Sequence, residues 1–287
     1  MSSPPTDRVV AIMSQLAASD GVTGLTTSEL ALALKLNRST TAAVLVALES
    51  AGWARRTDDR RFVLGGAVIA VGDAARAQLS LPAATTAQLR TLADAVGCGV
   101  TMSLIETDHL TVMATQSGQQ VAPAGVSVGR RIRLACPAGA SVMPWRSAAE
   151  RARWLDTAPT DQRPAVMALL ESVAKTAVAL WRPKRDDTGL LDVLAKLLEI
   201  ADDQLLRPRL RQQVLAQLSE LTGRPYTQAE LASEEALPLS YLAAPVFDAD
   251  GTAQFEVQLG PLRAAVPRAE RERYIAALRD TTIALSA

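Results

Sequence analysis

The sequence of 287 residues contains few of the side chains from which metal sites and catalytic sites are commonly built. It has one histidine, His109, and two cysteines, Cys98 and Cys136, which are well separated along the chain. A zinc site needs several such ligands together, so the sequence predicts no metal. Neither cysteine has an evident histidine partner in the sequence, and no glycine-rich phosphate-binding loop is present. These absences indicate a protein that is not an enzyme and requires no cofactor.

Long apolar runs are also missing from the sequence. No run approaches the roughly 20 residues that a membrane-spanning helix needs, and residues 1–7 lack the basic and apolar regions of a secretory signal. Two separated cysteines argue against a disulfide framework and fit a reducing compartment. Hydrophobic residues make up 48% of the chain and charged residues 21%, which is typical of a folded globular protein. We therefore expect a cytoplasmic protein of two domains with no membrane partner.

An excess of charge of either sign is absent, because 30 basic and 30 acidic side chains give a formal net charge of zero. The chain as a whole therefore has no general electrostatic attraction for nucleic acid. The basic residues are nevertheless clustered, since Arg55, Arg56, Arg60 and Arg61 lie close together. Such a cluster can contact phosphates even in a neutral chain.

The sequence before and within this arginine cluster has the pattern of two short helices, a tight turn and a hairpin. Thr26 and Glu29 have the spacing of a capping box, which predicts the start of the first helix. Asn37 or Ser39 can cap the second helix, whose inner residues recur with helical spacing. Gly52 is a typical helix stop, and the arginine cluster follows in a predicted two-stranded wing. This order predicts a winged helix-turn-helix, a motif that places its second helix in the major groove of DNA.

The recognition helix is predicted over residues 38–51. Its N-terminal residues would meet base edges and phosphates, whereas Ala42 and Ala43 can contact only the methyl groups of thymines. Alternation along a strand sends Arg55 and Arg56 to opposite faces, so the wing arginines cannot all contact DNA. The alternative for both elements is a capped, solvated surface in a protein-interaction module. The predicted DNA-binding residues are Thr27, Ser28, Arg38, Ser39, Thr40, Ala42, Ala43, Arg55, Arg56, Arg60 and Arg61.

The rest of the chain predicts a linker helix and an α+β domain. A helix, antiparallel strands and a final helix are expected in that domain, with an almost purely helical stretch over residues 160–222. The predicted boundaries are 1–66 for the winged domain, 67–82 for the linker helix and 83–287 for the second domain. Predicted helices cover residues 86–96, 138–155 and 268–285, and predicted strands cover residues 100–106, 110–116, 119–124, 130–134, 242–247 and 253–259.

Taken together, these segments resemble the IclR family of bacterial transcriptional regulators over nearly the whole chain. The resemblance implies a winged helix-turn-helix, a linker helix that dimerises, and a GAF-like effector-binding domain. It also implies a homodimer or homotetramer on double-stranded DNA, with a small-molecule effector that sets the affinity. The residues that carry the resemblance are 25–31, 38–40, 48–53 and 62–65 in the first domain and 128–134 and 243–251 in the second.

Some positions depart from the family pattern. The family usually has polar or basic side chains where this sequence has Ala42 and Ala43, and arginines where it has Leu32 and Ala33. Lys35 stands at a turn position that usually holds glycine, so it is expected to adopt a left-handed conformation. These departures bear on sequence-specific base readout more than on the fold.

The effector site is predicted from the same resemblance. In a GAF-like domain the ligand lies between the sheet and the loop and helix that cover it, and that loop is residues 135–139 here. Sheet residues would line the floor in one alternation or the other, and backbone donors near Gly139 would suit a carboxylate. The alternative is a filled core without a cavity, and any ligand would be apolar or amphipathic. The predicted effector-binding residues are Met102, Leu104, Met113, Cys136, Pro137, Ala138, Gly139, Phe255 and Val257.

A helical insertion at about residues 160–205 has no counterpart in the family pattern. The sequence as a whole predicts a ligand-responsive, DNA-binding transcriptional regulator. The alternative is a protein-interaction or ligand-sensing module whose winged helix has weak or no sequence-specific DNA readout. The operator, the effector and the direction of regulation are not given by the sequence.

Overall fold

The computed structural model describes residues 4–19, 23–79, 81–118, 128–183 and 222–286. The chain divides into two compact units, Met1–Ser80 and Leu81–Ala287. Within the described ranges, no single helix has the length and hydropathy needed to cross a membrane. Two helices of the first unit, Thr27–Ala33 and Arg38–Ser50, reach that length only when counted together, and they are bent by 119° relative to each other.

The described residues of the first unit form four helices and a two-stranded hairpin. The hairpin strands pair antiparallel, with Arg55 opposite Val63. The elements are α1 (Pro4–Ala18), α2 (Thr27–Ala33), α3 (Arg38–Ser50), β1 (Ala54–Arg56), β2 (Phe62–Leu64) and α4 (Ala67–Leu79).

The second and third helices begin where the sequence predicts, because side chains satisfy their first backbone N–H groups. The Thr26 hydroxyl accepts from the N–H of Glu29 at 3.2 Å, and the Glu29 carboxylate accepts from the N–H of Thr26 at 2.7 Å. The Asn37 side chain caps α3 by accepting from the N–H of Ser39 at 3.0 Å. Each cap of this kind stabilises a helix by about 1 kcal/mol. Lys35 adopts the expected left-handed conformation, with φ of 52°.

The inner faces of the first three helices and the hairpin enclose the core of the first unit. Thr41 is fully buried there, and its hydroxyl donates to the carbonyl of Asn37 at 3.1 Å. Thr41 is therefore a core residue, as its place in the helical repeat predicts. The buried apolar residues are Ile12, Leu16, Leu30, Leu45, Leu48, Ala54 and Phe62.

The described residues of the second unit form an antiparallel sheet with helices packed on it, which confirms the predicted α+β class. The strand order is β5–β4–β3–β10–β9–β6–β7, and β8 and β11 form a separate pair. The elements are α5 (Ala83–Val96), β3 (Gly99–Ile105), β4 (His109–Gln116), β5 (Arg131–Arg133), a 3₁₀ turn (Met143–Trp145), α6 (Ala148–Leu155), α7 (Arg163–Thr176), β6 (Ala179–Pro183), β7 (Thr222–Pro225), α8 (Gln228–Leu231), β8 (Leu237–Leu239), β9 (Tyr241–Phe247), β10 (Ala253–Gly260), β11 (Arg263–Val266) and α9 (Arg268–Leu285).

Both faces of the large sheet are covered, and the side chains of β9 show the division. Leu242, Ala244 and Val246 pack with α5 and α9, and we call this side the α5–α9 face. Ala243 and Phe247 pack with α7 and the 3₁₀ turn, and we call this side the α7 face. Each face has its own apolar cluster, so the strands carry buried residues in both alternations.

One predicted helix, over residues 138–155, is wrong in its first half. The chain turns from Cys136 to Val142, makes the 3₁₀ turn, and starts α6 only after Ser147. Pro144 has no N–H for an α-helical hydrogen bond. Ser147 and Glu150 form a capping box, with N–H to oxygen distances of 3.1 and 3.3 Å, so the helix begins there.

The predicted helical stretch over residues 160–222 is correct for α7 but wrong at residues 179–183. These residues form β6, which pairs with β9 through Ala179 opposite Ala243 and Trp181 opposite Tyr241. A short apolar run fits a buried helix and a buried strand equally well, and here sheet pairing decides between them. The predicted strand over residues 119–124 and the predicted helices within 184–221 lie outside the described residues.

Candidate functional site

The outward side of α3 begins with polar side chains and continues with hydrocarbon. Arg38 and Ser39 are exposed in its first turn, next to the half-buried Thr40. Ala42 is half-buried and Ala43 is exposed in the next turn. These five predicted residues therefore lie together along the first two turns of one helix.

The predicted residues of α2 are its first two. Thr27 is half-buried and Ser28 is exposed. They follow the capping residue Thr26, which accepts from the N–H of Glu29. Ser28 is thus placed where its hydroxyl is accessible to a phosphate.

Three arginines of the wing are exposed to solvent, where they can contact a DNA duplex. Arg55, Arg56 and Arg60 are all exposed, although the first two occupy alternate positions of β1. The guanidinium of Arg56 lies 5.7 Å from the centre of the Phe62 ring, a cation–π distance that keeps its polar edge accessible. Both alternate positions of the short strand are therefore available for phosphate contact.

The fourth wing arginine, Arg61, is engaged within the protein. Its guanidinium donates to both oxygens of Glu29, at 2.9 and 3.1 Å, and to the carbonyl of Gly24 at 3.1 Å. The N–H of Thr26 and then the Arg61 side chain hold the pKa of Glu29 below its usual value. This geometry gives Arg61 a structural role in place of the predicted one, because three of its five N–H donors connect the wing to α2 and to the carbonyl of Gly24.

The structure places the predicted floor of the effector site on the α5–α9 face. Met102 and Val257 are buried there, opposite each other in β3 and β10. Leu104 and Phe255 pair two residues further along the same strands, and therefore lie on the same face. Met113 is half-buried at a bulge of β4.

The predicted loop covers the opposite face, so loop and floor do not meet. Its residues are Cys136, Pro137, Ala138 and Gly139. Cys136 and Ala138 border the apolar cluster of the α7 face. The alternation that faces the same side as the loop is the other one, which includes Ser103 opposite Glu256. The sequence could not decide between the two because both faces of these strands are buried.

A buried polar pair lies where the loop meets the α7 face. The hydroxyl of Ser141 donates to the Glu256 carboxylate at 2.5 Å, and the two residues are 0% and 5% exposed. Burial raises the pKa of Glu256 to about 7, although the hydrogen bonds from Ser141 oppose this shift. Burial also raises the pKa of Cys136 to about 11. The thiol is therefore protonated at neutral pH and is a poor nucleophile.

A cavity of about 180 Å³ opens beside the same loop. Its lining combines three apolar side chains, three arginines and three carboxylates, which are Leu134, Met143, Trp154, Arg133, Arg146, Arg153, Glu106, Asp108 and Glu150. The Arg146 guanidinium donates to the carbonyl of Ile105 at 2.6 Å and lies 3.6 Å from Glu150. Its Nε is buried and has no hydrogen-bond partner among the described residues.

Comparison with known proteins finds one matching family model and solved structures with a similar fold. Residues 5–58 match the family model of the IclR helix-turn-helix domain. An IclR transcriptional regulator from Alicyclobacillus acidocaldarius has 17% sequence identity and a TM-score of 0.65, over 100% of this chain and 98% of that one. The IclR of Thermotoga maritima has 17% identity and a TM-score of 0.55, over 98% of each chain. Residues 5–58 thus match the IclR helix-turn-helix domain, and the chain as a whole shares the fold of solved IclR regulators.

A further IclR structure was solved with a ligand. The IclR homolog of Microbacterium hydrocarbonoxydans, in complex with 4-hydroxybenzoate, has 15% identity and a TM-score of 0.59, over 97% of each chain. No curated protein matches the chain significantly. At these identities the solved structures establish the fold alone. The helix-turn-helix match favours a DNA-binding transcriptional regulator over a protein-interaction module.

The sequence pattern did not single out Arg146 or Glu256 as candidate site residues. Glu256 is a carboxylate in the middle of an otherwise uncharged strand, and Arg146 directly follows an apolar turn. A charge within an apolar segment is the signal that could have found both, because a buried charge needs partners.

Proposed function

We propose that this IclR-type protein is a transcriptional regulator that binds double-stranded DNA through α3 and the wing and responds to a small-molecule effector. The observation that carries the proposal is the IclR helix-turn-helix match over residues 5–58. The exposed outward side of α3 supports it, since this is the surface that such a motif inserts into the major groove.

Within this proposal the arginines hold the protein on the DNA backbone. Arg38 at the start of α3 and the exposed wing arginines Arg55, Arg56 and Arg60 contact phosphates. Ser28, Ser39 and their neighbours add hydroxyl contacts. Because the chain carries no net charge, binding depends on this local cluster and weakens steeply with salt.

The proposed assembly is a homodimer or homotetramer joined through the linker helix α4. This helix exposes Ile69 and Val71, at 65% and 48% of their surface. Because these residues are two positions apart, they point to different sides of the helix. Pairing of two such helices along the side of Ile69 would bury that residue and would bring two recognition helices to half-sites about 34–36 Å apart. The proposed location of this regulator is the cytoplasm, where its DNA lies.

The proposed effector site is the cavity beside residues 134–146. Leu134, Met143 and Trp154 give the cavity an apolar part that suits an amphipathic molecule, and its arginine side chains suit a carboxylate or hydroxyl group on that molecule. An aromatic hydroxy acid such as 4-hydroxybenzoate, the ligand of a structural neighbour, combines these groups. Coupling between effector and DNA is typically worth 1–3 kcal/mol, or about 5- to 150-fold in affinity.

The decisive experiment measures binding of the full chain to genomic DNA fragments that surround its own gene, over a series of salt concentrations. Replacement of Arg38 by Ala is expected to lower the log–log salt slope by roughly 0.9, whereas Ala at Arg90, exposed on α5, leaves it unchanged. Equal slopes for the two variants would contradict the proposed phosphate contact.

The effector arm of the proposal is tested by thermal-shift titration with 4-hydroxybenzoate and a panel of related acids. The Arg146→Gln variant is expected to lose the shift, and Arg90→Gln is expected to keep it. A shift that survives Arg146→Gln would place the effector elsewhere in the protein.

A further inference from the structure

The recognition helix has an unusual run of side chains after its first turn. Residues 42–48 are Ala-Ala-Val-Leu-Val-Ala-Leu, all of which are hydrocarbon. Leu45 and Leu48 are buried in the core of the first unit, whereas Ala43 and Ala47 are exposed. Val46 is also exposed, at 63% of its surface. The second and third turns of α3 therefore offer solvent no hydrogen-bonding side chain before Glu49.

The exposed hydrocarbon lies on the side of α3 that faces away from the core. With 3.6 residues per turn, Ser39, Ala43, Val46 and Ser50 form one stripe opposite the buried Thr41 and Leu48. The stripe is about 16 Å long, at a rise of 1.5 Å per residue, and has a hydroxyl at each end. Its middle can interact favourably only with an apolar group.

The major groove of DNA displays one such group. The C5 methyl of thymine is the apolar feature of the groove, and the other base edges present hydrogen-bond donors and acceptors. The exposed arginines of α3 and the wing complement the charge of the DNA backbone on either side of a groove. This charge favours a duplex over a neutral apolar partner as the occupant of the stripe.

We propose that Ala43 and Val46 determine operator specificity by contact with thymine methyl groups, so that the operator carries thymines beneath the second turn of α3. Hydrogen-bond readout of bases is confined to the first turn, at Ser39 and Thr40, while Arg38 contacts a phosphate. The inference rests on the proposed DNA-binding function and adds to it the chemical class of the sequence that is recognised.

Base analogues separate a methyl contact from every other feature of a thymine. Uracil pairs as thymine does but lacks the C5 methyl, and 5-methylcytosine carries that methyl on a different base pair. Burial of one methyl contributes about fourfold in affinity, which is ~0.8 kcal/mol. Replacement of each contacted thymine by uracil is therefore expected to lower the binding affinity about fourfold.

The experiment starts from duplexes selected by the full chain from a random library. Every thymine of the best duplex is replaced singly by uracil, and the dissociation constant of each is measured at fixed salt. Uracil at two or more positions per half-site is expected to raise the dissociation constant about fourfold. At those positions a 5-methylcytosine·guanine pair is expected to bind more tightly than a cytosine·guanine pair.

A variant pair assigns the contact to α3. Val46→Thr replaces one exposed methyl by a hydroxyl without a change of shape, and Val10→Thr makes the same change on α1, where Val10 is 58% exposed. Val46→Thr is expected to lose the preference for thymine over uracil at one position, while Val10→Thr retains it. Because the readout is a ratio between two duplexes, a general loss of stability does not mimic the result.

Several results would overturn the inference. One is a selected site whose uracil duplexes all bind as tightly as the thymine duplex, and another is a Val46→Thr protein with unchanged thymine preference. Salt-sensitive binding without any selected sequence would also overturn it while leaving DNA binding itself intact. A chain that bound no duplex even in dilute salt would contradict the proposed function, and the thymine inference with it.

Discussion

Glu256 and Arg271 are both buried in the second unit, but they differ in the number and kind of their hydrogen-bond partners. Ser141 is a neutral partner for Glu256, so burial dominates and the pKa rises. Arg271 is 1% exposed, and four backbone carbonyls surround its guanidinium. A carboxylate that is easily neutralised and a guanidinium that stays charged therefore respond differently to mutation and to pH.

Glu256 is expected to make the second unit less stable as pH rises. Its pKa is about 7 in the folded protein against a usual value of 4.5, so the folded state holds the proton more tightly than the unfolded state. The stabilisation is complete below pH 4.5 and is lost as pH rises to about 7, by at most about 3 kcal/mol. Glu256→Gln is expected to remove this dependence in urea unfolding monitored by tryptophan fluorescence between pH 4.5 and 8. Glu49→Gln, at an exposed position of α3, is the control, and a slope that persists in Glu256→Gln would contradict the assignment.

Arg271 is expected to resist even a conservative substitution. Its two terminal nitrogens donate to the carbonyls of Leu231, Ser233, Glu235 and Val266 at 2.6–3.3 Å, which fixes the segment after α8 against the start of α9. Lysine lacks the planar fork, so Arg271→Lys leaves carbonyls unpaired and should cost about 2–3 kcal/mol in chemical denaturation. Arg279→Lys, exposed on the same helix, should change stability by less than about 0.5 kcal/mol. Equal effects of the two changes would show that the buried contacts contribute little.

At the scale of elements, the hairpin of the first unit contains arginines of two kinds. Arg60 is exposed at the turn, whereas Arg61 connects β2 to Glu29 on α2. The wing is thereby fixed to the helix that precedes the recognition helix. One arginine therefore holds the wing in position, and the exposed arginines are the ones proposed to contact the DNA backbone.

This division of roles predicts different salt dependences for adjacent variants. Arg60→Gln is expected to lower the log–log salt slope of DNA binding by roughly 0.9, because a phosphate contact is lost. Arg61→Gln is expected to keep the slope and to lower the melting temperature of the first unit, because the connection to Glu29 is lost. Fluorescence anisotropy at several salt concentrations and thermal melts of both proteins measure the two effects. A lower salt slope for the Arg61→Gln protein would indicate that Arg61 contacts a phosphate.

Local chemistry explains which elements the sequence could predict. Thr26 with Glu29 and Asn37 with Ser39 define helix starts through contacts between near neighbours, and the Asp248–Gly251 turn defines the β9–β10 hairpin in the same way. Strand β6 depends instead on pairing with β9, some sixty residues further along the chain. An apolar run of this length carries no local signal that distinguishes a buried strand from a helix.

At the scale of the whole molecule, α4 determines how the proposed dimer forms. Ile69→Glu places a charge on an exposed apolar residue of this helix and is expected to shift the protein toward monomer, because burial of an unpaired charge in the interface is costly. Sedimentation velocity measures the change, and DNA affinity should fall together with it. Val10→Glu on α1 alters a residue of similar exposure and should leave the assembly unchanged. A dimer that survives Ile69→Glu would locate the interface elsewhere.

The order of the elements and the two-unit organisation follow from sequence pattern, but the effector surface does not. Met102 and Ser103 are adjacent and both buried, so neither alternation of β3 stands out as the core side. The choice between them depends on where residues 135–145 fold back, a contact between segments that are distant along the chain. The sequence therefore supports a GAF-like domain while leaving its ligand-facing side open.

Strands β6 and β7 are neighbours at one end of the sheet, with Pro183 opposite Thr222. The polypeptide thus departs and returns at a single point on the border of the domain, and the length between those residues is uncoupled from the register of the remaining strands. Because the entropy of closing a loop grows only slowly with its length, this junction is a natural place to splice in a fluorescent protein. A sensor built there would carry its reporter within the second unit while the termini stay unmodified.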